Sequence, residues 1–174
     1  MKHLLNKTYV SIDIETLSTR QNAVIVQLGA TMFTINDGVL SEFTINIDPK
    51  SCRLYGMHIS KDTLQWWSDQ DESVRKSWQK DKYSLPDALT KFNEWLGECK
   101  KYIFIANGIV FDFGILSTAY TLTGIEKPWP YWQEVDLRTM SFLFDVKLSG
   151  GNNHNALFDA RNQMESFLSL FKEN

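Results

Sequence analysis

The 174-residue sequence is long enough for one sizeable core, and 43% hydrophobic with 13% aromatic content excludes a disordered or low-complexity chain. A formal net charge of −3 and dispersed basic residues, with no run of four, argue against extensive wrapping of duplex nucleic acid. Two cysteines without a CxxC spacing exclude a disulfide framework, and no apolar run approaches the roughly 20 residues that span a bilayer. Met1 to Lys7 turns polar too soon for a signal peptide. The expectation is one domain over residues 1–174, soluble and cytoplasmic, with reduced thiols at Cys52 and Cys99.

In chain order, Tyr9–Ile14 alternates apolar and polar residues as a half-buried strand does, and Val24–Ile35 is a longer β-branched stretch. Asn36-Asp37-Gly38 signals a turn into Val39–Ile47, where Phe43, Ile45 and Ile47 alternate with polar residues, so a hairpin is expected. Asp48-Pro49 ends it. Ser60 and Asp71 are placed to cap helices through Leu64, Trp66 and Trp67 and through Val74 and Trp78. Ser84, with Asp87 three residues on, opens a helix carrying Leu89, Phe92, Trp95 and Leu96. Tyr102–Ala106 reads as a compact strand ending at Asn107-Gly108, and a helix from about Val110 to Thr123 stops at Gly124. Asp136 caps a helix through Phe144, Ser149–Asn153 reads as a flexible loop, and a last helix runs from about Asn155 to Lys172. Strands followed by helices interleaved with another strand indicate an α/β domain with a mixed sheet.

Four carboxylates stand out in this frame. Asp13 and Glu15 are two apart on a strand, so they project from one face. Burying ionised carboxylates costs several kcal/mol each unless a cation or strong donors compensate. A hard divalent cation is one such partner. Taken alone, however, a D-x-E pair is more often a solvated strand edge. Asp112 follows the Tyr102–Ala106 strand at the start of a helix, near the sheet end where α/β domains bind ligands, although an acid there also suits the helix dipole. His154 and Asp159 flank the start of the last helix. A lone histidine at such a junction is usually a cap or surface residue, yet beside a metal cluster an imidazole can act as a general base near neutral pH.

Together, Asp13-Ile14-Glu15-Thr16, Asn107 to Asp112, and His154-Asn155-Ala156-Leu157-Phe158-Asp159 resemble, in order, the three motifs of the DEDDh division of DnaQ-like 3′-5′ exonucleases. Position 155 is Asn, where the tyrosine division would carry Tyr. The motifs span residues 13 to 159. Thr63-Leu64-Gln65-Trp66-Trp67 and Asp136-Leu137-Arg138-Thr139 are similar to the subgroup that includes phage exonuclease A and a mycobacterial 3′-5′ exoribonuclease.

The resemblance implies an RNase H-like α/β fold, a five-stranded mixed sheet flanked by helices. Only four strands are assigned above, which leaves the fifth to Cys52–Gly56 or Trp132–Val135. It further implies two divalent cations, Mg²⁺ or Mn²⁺, about 3.5–4 Å apart. Asp13 bridges both, Glu15 and Asp159 complete the first site, Asp112 supports the second, and His154 takes a proton from the attacking water. The implied reaction releases nucleoside 5′-monophosphates from single-stranded 3′ ends. DNA is favoured and RNA is the alternative, since the subgroup includes both. Discounting these four carboxylates moves the formal charge from −3 to +1, so overall charge does not oppose a nucleic-acid substrate.

Leu17 resembles a position that packs on the terminal nucleotide, and backbone groups near Glu15 and Thr16 suit its 3′-OH. Asn107, Phe111, Trp66 and Trp67 complete the substrate-binding candidates, although adjacent tryptophans on a helix point some 100° apart, so at least one belongs to the core. Met57 and His58 are weaker candidates, and His58 is read as structural. Arg138 and Arg161 are read as exposed helix residues, with phosphate contact as the alternative. A homodimer through the tryptophan-rich middle is also an expectation. The rival readings are an RNase H-like endonuclease and an inactive nucleic-acid-binding module.

Overall fold

The computed structural model describes residues 2–145 and 154–171; the expected Ser149–Asn153 loop lies outside them. The short helix α1 (Lys2–Leu5) leads into β1 (Tyr9–Thr16), β2 (Ile25–Thr34) and β3 (Gly38–Ile47). These three form an antiparallel meander, with Gly38 at φ 72° opening the third strand. Helices α2 (Pro49–Leu54), α3 (Lys61–Ser68) and α4 (Glu72–Ser77) follow, then the two-residue β4 (Lys82–Tyr83) and α5 (Leu85–Leu96). The chain continues with β5 (Ile103–Ala106), α6 (Ile109–Thr123), β6 (Glu134–Asp136), α7 (Leu137–Phe144) and α8 (Ala156–Ser169).

The sheet order is β4-β3-β2-β1-β5-β6, with β4, β5 and β6 each parallel to its partner. The fold is mixed α/β as expected, but the sheet has six strands where five were expected. Residues 134–136 supply the expected fifth strand, overlapping one of its two expected places, and the two-residue β4 is the added one. The other place, Cys52–Gly56, is not a strand. The Asp48 carboxylate accepts from Lys50 N at 3.1 Å and Pro49 opens the turn, so the chain enters α2. Asp48-Pro49 therefore both ends β3 and starts a helix. Ser60, Asp71 and Ser84 each cap a helix, and Gly124 ends α6 in the left-handed region, as the sequence predicts. Cys52 and Cys99 are buried free thiols. No helix among the described residues is long and apolar enough to cross a membrane.

Alternation along β1 divides the molecule into two layers. Val10, Ile12 and Ile14 enter the larger core, packed with Leu89 and Phe92 of α5 and Ile115 and Leu116 of α6. Tyr9 faces the other side and meets Phe33 of β2 and Phe167 of α8 at ring separations of 5.4 and 4.8 Å. Ser11, Asp13 and Glu15 share the Tyr9 face. Facing Asp13 across the β1–β2 ladder is Gly29. A Cβ there would lie 2.2 Å from backbone atoms of Ala156 and Leu157, so α8 begins directly on the sheet at a spacing only glycine permits. Gly29→Ala is expected to lower stability by roughly 1–3 kcal/mol or more, since the clash is with backbone and no rotamer relieves it. Chemical denaturation compared with wild type measures it, and an unchanged midpoint would show that the two layers have slack here.

Candidate active site

Asp13 and Glu15 leave β1 towards α8, and Asp159 descends from the first turn of α8 to meet them. One carboxylate oxygen from each of the three lies within 4.8 Å of the others. Asn155 caps α8, its side chain accepting from Phe158 N, while its own backbone N–H donates to Asp159 Oδ2 at 3.3 Å. The reciprocal pair of caps fixes the helix start and holds the carboxylate on the sheet side.

Asp112 approaches from another direction. The parallel β1–β5 pairing ends at Ser11 and Ile105, which leaves the β1 backbone beyond it without a strand neighbour on that edge. Asp112, one turn into α6, fills that gap by accepting from Ile14 N at 3.2 Å. Its carboxylate is thereby tied to the peptide between Asp13 and Glu15.

Two glutamines absent from the sequence-level candidates organise the acids. Gln163 is 6% exposed and donates to Asp13 Oδ1 at 2.9 Å while accepting from Ser11 Oγ at 3.2 Å. The serine proton fixes which way its amide points. Gln163 lies four residues after Asp159, hence on the same helix face, and that spacing was the available signal. Gln27 pairs with Glu15 in the ladder, accepts from Ala156 N at 2.8 Å and donates to Asn46. Its role depends on strand register, which the sequence does not display.

A cleft of about 460 Å³ opens beside the acids, lined by Glu15, Thr16, Thr63, Trp66, Trp67 and Phe111 among others. The two tryptophans divide as their angular separation requires. Trp67 is 3% exposed and donates Nε1–H to Thr16 O at 2.8 Å, whereas Trp66 is 42% exposed on the cleft. The His154 ring stands edge-on to Trp66 with centroids 4.7 Å apart, and its backbone is left-handed at φ 51°. Leu17, the candidate for packing on a nucleotide, is 4% exposed and committed to the larger core, as is Met57. Asn107 follows β5, with its Oδ1 buried and unpartnered among the described residues and its carbonyl accepting from Arg138 Nη2 at 3.0 Å. His58 is structural: Nδ1 meets Ser18 Oγ at 2.8 Å. Arg161 pairs with Glu42, its Nη2–Oε2 distance being 2.6 Å.

Burial first, and then the negative charges of Asp112, Glu15 and Asp159, hold the Asp13 carboxyl well above the usual carboxylate range. Burial, then Asp159 and Asp112, push Glu15 from 4.5 up to about 8. Burial raises Asp112 to about 7, opposed by the Ile14 amide and the charge of Arg138. Neither Asp13 nor Glu15 has an ion-pair partner among the described residues. A convergent, oxygen-only set of carboxylates, with Asp13 and Glu15 unpaired by any cation among the described residues, fits a hard divalent cation such as Mg²⁺ or Mn²⁺.

In chelator, the raised Glu15 pKa makes folding take up a proton between 4.5 and about 8. The associated stability is present below the unfolded-state value and is lost as pH rises through about 8. The Tm in chelator is therefore expected to fall by several degrees from about pH 6 to about pH 9, and by less in Glu15→Gln. Calorimetry at both pH values checks this, and a Tm that rises with pH would contradict the assignment.

The sequence pattern of the Rv2179c-like 3′-5′ exoribonuclease domain matches residues 8–171. The DNA polymerase III PolC-type of Listeria welshimeri is 28% identical over 173 residues, covering 90% of this chain. The chain spans only 11% of that polymerase. The exodeoxyribonuclease of Enterobacteria phage T4 is 26% identical over 155 residues, covering 74% of this chain and 68% of the phage protein. Among solved structures, the nuclease domain of 3′hExo, a DEDDh family member bound to rAMP, superposes with a TM-score of 0.68 at 13% identity. The superposition covers 97% of this chain and 93% of that one, so the fold is RNase H-like. With a match across nearly its whole length, the chain belongs to the Rv2179c-like 3′-5′ exoribonuclease domain family.

Proposed function

We propose that this chain removes nucleotides one at a time from single-stranded 3′ ends and releases nucleoside 5′-monophosphates, with DNA as the favoured polymer and RNA as the alternative. The observation that carries the reading is the convergence of Asp13, Glu15 and Asp159 within 4.8 Å beside an aromatic-walled cleft. The cleft volume of about 460 Å³ suits one nucleoside. Trp66 and Phe111 offer aromatic surface to a base, and stacking of this kind contributes roughly 1–3 kcal/mol per base and accepts any base. The similarity to the phage exodeoxyribonuclease supports DNA, and the family description supports RNA.

Asp13, Glu15 and Asp159 would hold one divalent cation, Asp13 and Asp112 a second, Mg²⁺ or Mn²⁺ in each case. Such cations, when bound, polarise the scissile phosphoryl group and lower the pKa of an attacking water. Gln163 keeps the Asp13 carboxylate turned towards its neighbours. Glu15 and the Thr16 backbone meet the terminal 3′-OH. His154, braced by Trp66 at the entry to α8, accepts the proton of the attacking water and passes it to solvent.

Incubating 5′-labelled DNA and RNA oligomers with Mg²⁺ or Mn²⁺ should give ladders shortening from the 3′ end, with the DNA shortened faster. Nucleoside 5′-monophosphates should be the sole small product. Cleavage of a circular or 3′-blocked single strand would instead establish an endonuclease. Asp13→Asn and Asp159→Asn should reduce hydrolysis to background with the circular dichroism spectrum preserved. His154→Ala should lose about 10²–10⁴-fold in rate with little change in KM. A wild-type rate in that variant would remove the histidine from the mechanism.

A further inference from the structure

We infer that a second cavity beside the catalytic cleft receives the penultimate nucleotide, with Arg138 pairing with its 5′-phosphate. The cavity, about 380 Å³, shares Thr19 and Phe111 with the catalytic cleft and extends to Arg138. Phe111 thus stands between two adjoining spaces, one beside the acids and one beside a cation. A strand whose terminal nucleoside occupies the first and whose scissile phosphate lies at the acids must continue past this ring. The inference rests on the 3′-5′ exonuclease reading.

Arg138 is built for an anion here. Its Nη2 donates to Asn107 O, which fixes the side chain, and the guanidinium lies against Gly108, where a Cβ would meet Nη2 at 3.4 Å. A guanidinium has five donors in a planar fork that matches phosphate, and one bond to a carbonyl leaves the others available. Among the described residues no carboxylate lies within ion-pair distance of it. Asp136, the acid in the same cavity, has a neutral donor on each oxygen, Gly108 N on Oδ1 at 3.0 Å and Thr139 Oγ1 on Oδ2 at 2.6 Å; these fix its carboxylate in place and leave its charge. Val110 is 74% exposed on the cavity wall and gives the penultimate sugar or base an apolar surface. Arg161, in contrast, is spent on Glu42 and cannot serve this purpose without breaking that pair.

The test compares dinucleotides that differ in one group, pNpN with a 5′-phosphate and NpN without, in deoxyribose and ribose forms. Wild type should hydrolyse pNpN with kcat/KM higher by about tenfold to a hundredfold, the range of a charge-assisted hydrogen-bonded contact. Arg138→Gln should bring the ratio close to one, and Arg138→Lys should restore part of it. Equal kcat/KM for the two substrates in wild type, or an undiminished ratio in Arg138→Gln, would overturn the subsite. The wild-type comparison stands even if the variants fold poorly. The p-nitrophenyl ester of a nucleoside 5′-monophosphate, which needs only the catalytic cleft, separates the two readings. Hydrolysis of the ester with a flat dinucleotide ratio removes the subsite alone, whereas no hydrolysis of ester or dinucleotides removes the exonuclease reading and the subsite with it.

Discussion

The structure turns on placing several carboxylates in a dry interface between a sheet and a helix. Isolated, each would lose several kcal/mol of hydration. Together they also repel, and the raised pKa values of Asp13, Glu15 and Asp112 express both effects. The protein tolerates the arrangement because the surrounding groups donate: Ile14 N to Asp112, Gln163 to Asp13 and Asn155 N to Asp159. These donors orient the acids without neutralising them. Asp13 and Glu15, with no ion pair among the described residues, keep a demand for positive charge that a divalent cation can satisfy.

The rest of the fold serves that geometry. β1 carries core residues on one face and ligands on the other, so the strand is anchored by Val10, Ile12 and Ile14 while presenting Asp13 and Glu15. The aromatic cluster of Tyr9, Phe33 and Phe167 clamps the far end of α8, and Gln27 with Asn155 fixes the near end. Asp159 is thus set by contacts at both ends of its helix. α3 contributes the pair of tryptophans, one securing the loop after β1 through Thr16 O and the other bracing His154.

Much of this was legible in the sequence, and what was legible shares a physical reason. The caps at Ser60, Asp71 and Ser84, the stop at Gly124, and the strand alternation in β1 are local effects, encoded within a few residues. The acids were found by their order and spacing. The features that the sequence does not display depend on distant partners. β4 is two residues long and exists by pairing with β3, and Gly29 matters because α8 lands on it. Leu17 stood next to the first motif but was claimed by the core. Trp66 and Trp67 could be separated in principle by angle, yet which one faced inward needed the docking of α3.

Asp112 has a place in the sheet as well as in the acid cluster. By accepting from Ile14 N where β5 has already ended, its side chain acts as a one-atom extension of the missing strand. Negative charge and hydrogen-bond acceptance are therefore separate properties of one group. An isosteric amide keeps an acceptor at this position and discards the charge, whereas truncation discards both and leaves a main-chain donor unmet. The loss seen on truncating this residue would be a composite of chemistry and architecture, and the amide is the substitution that resolves the two.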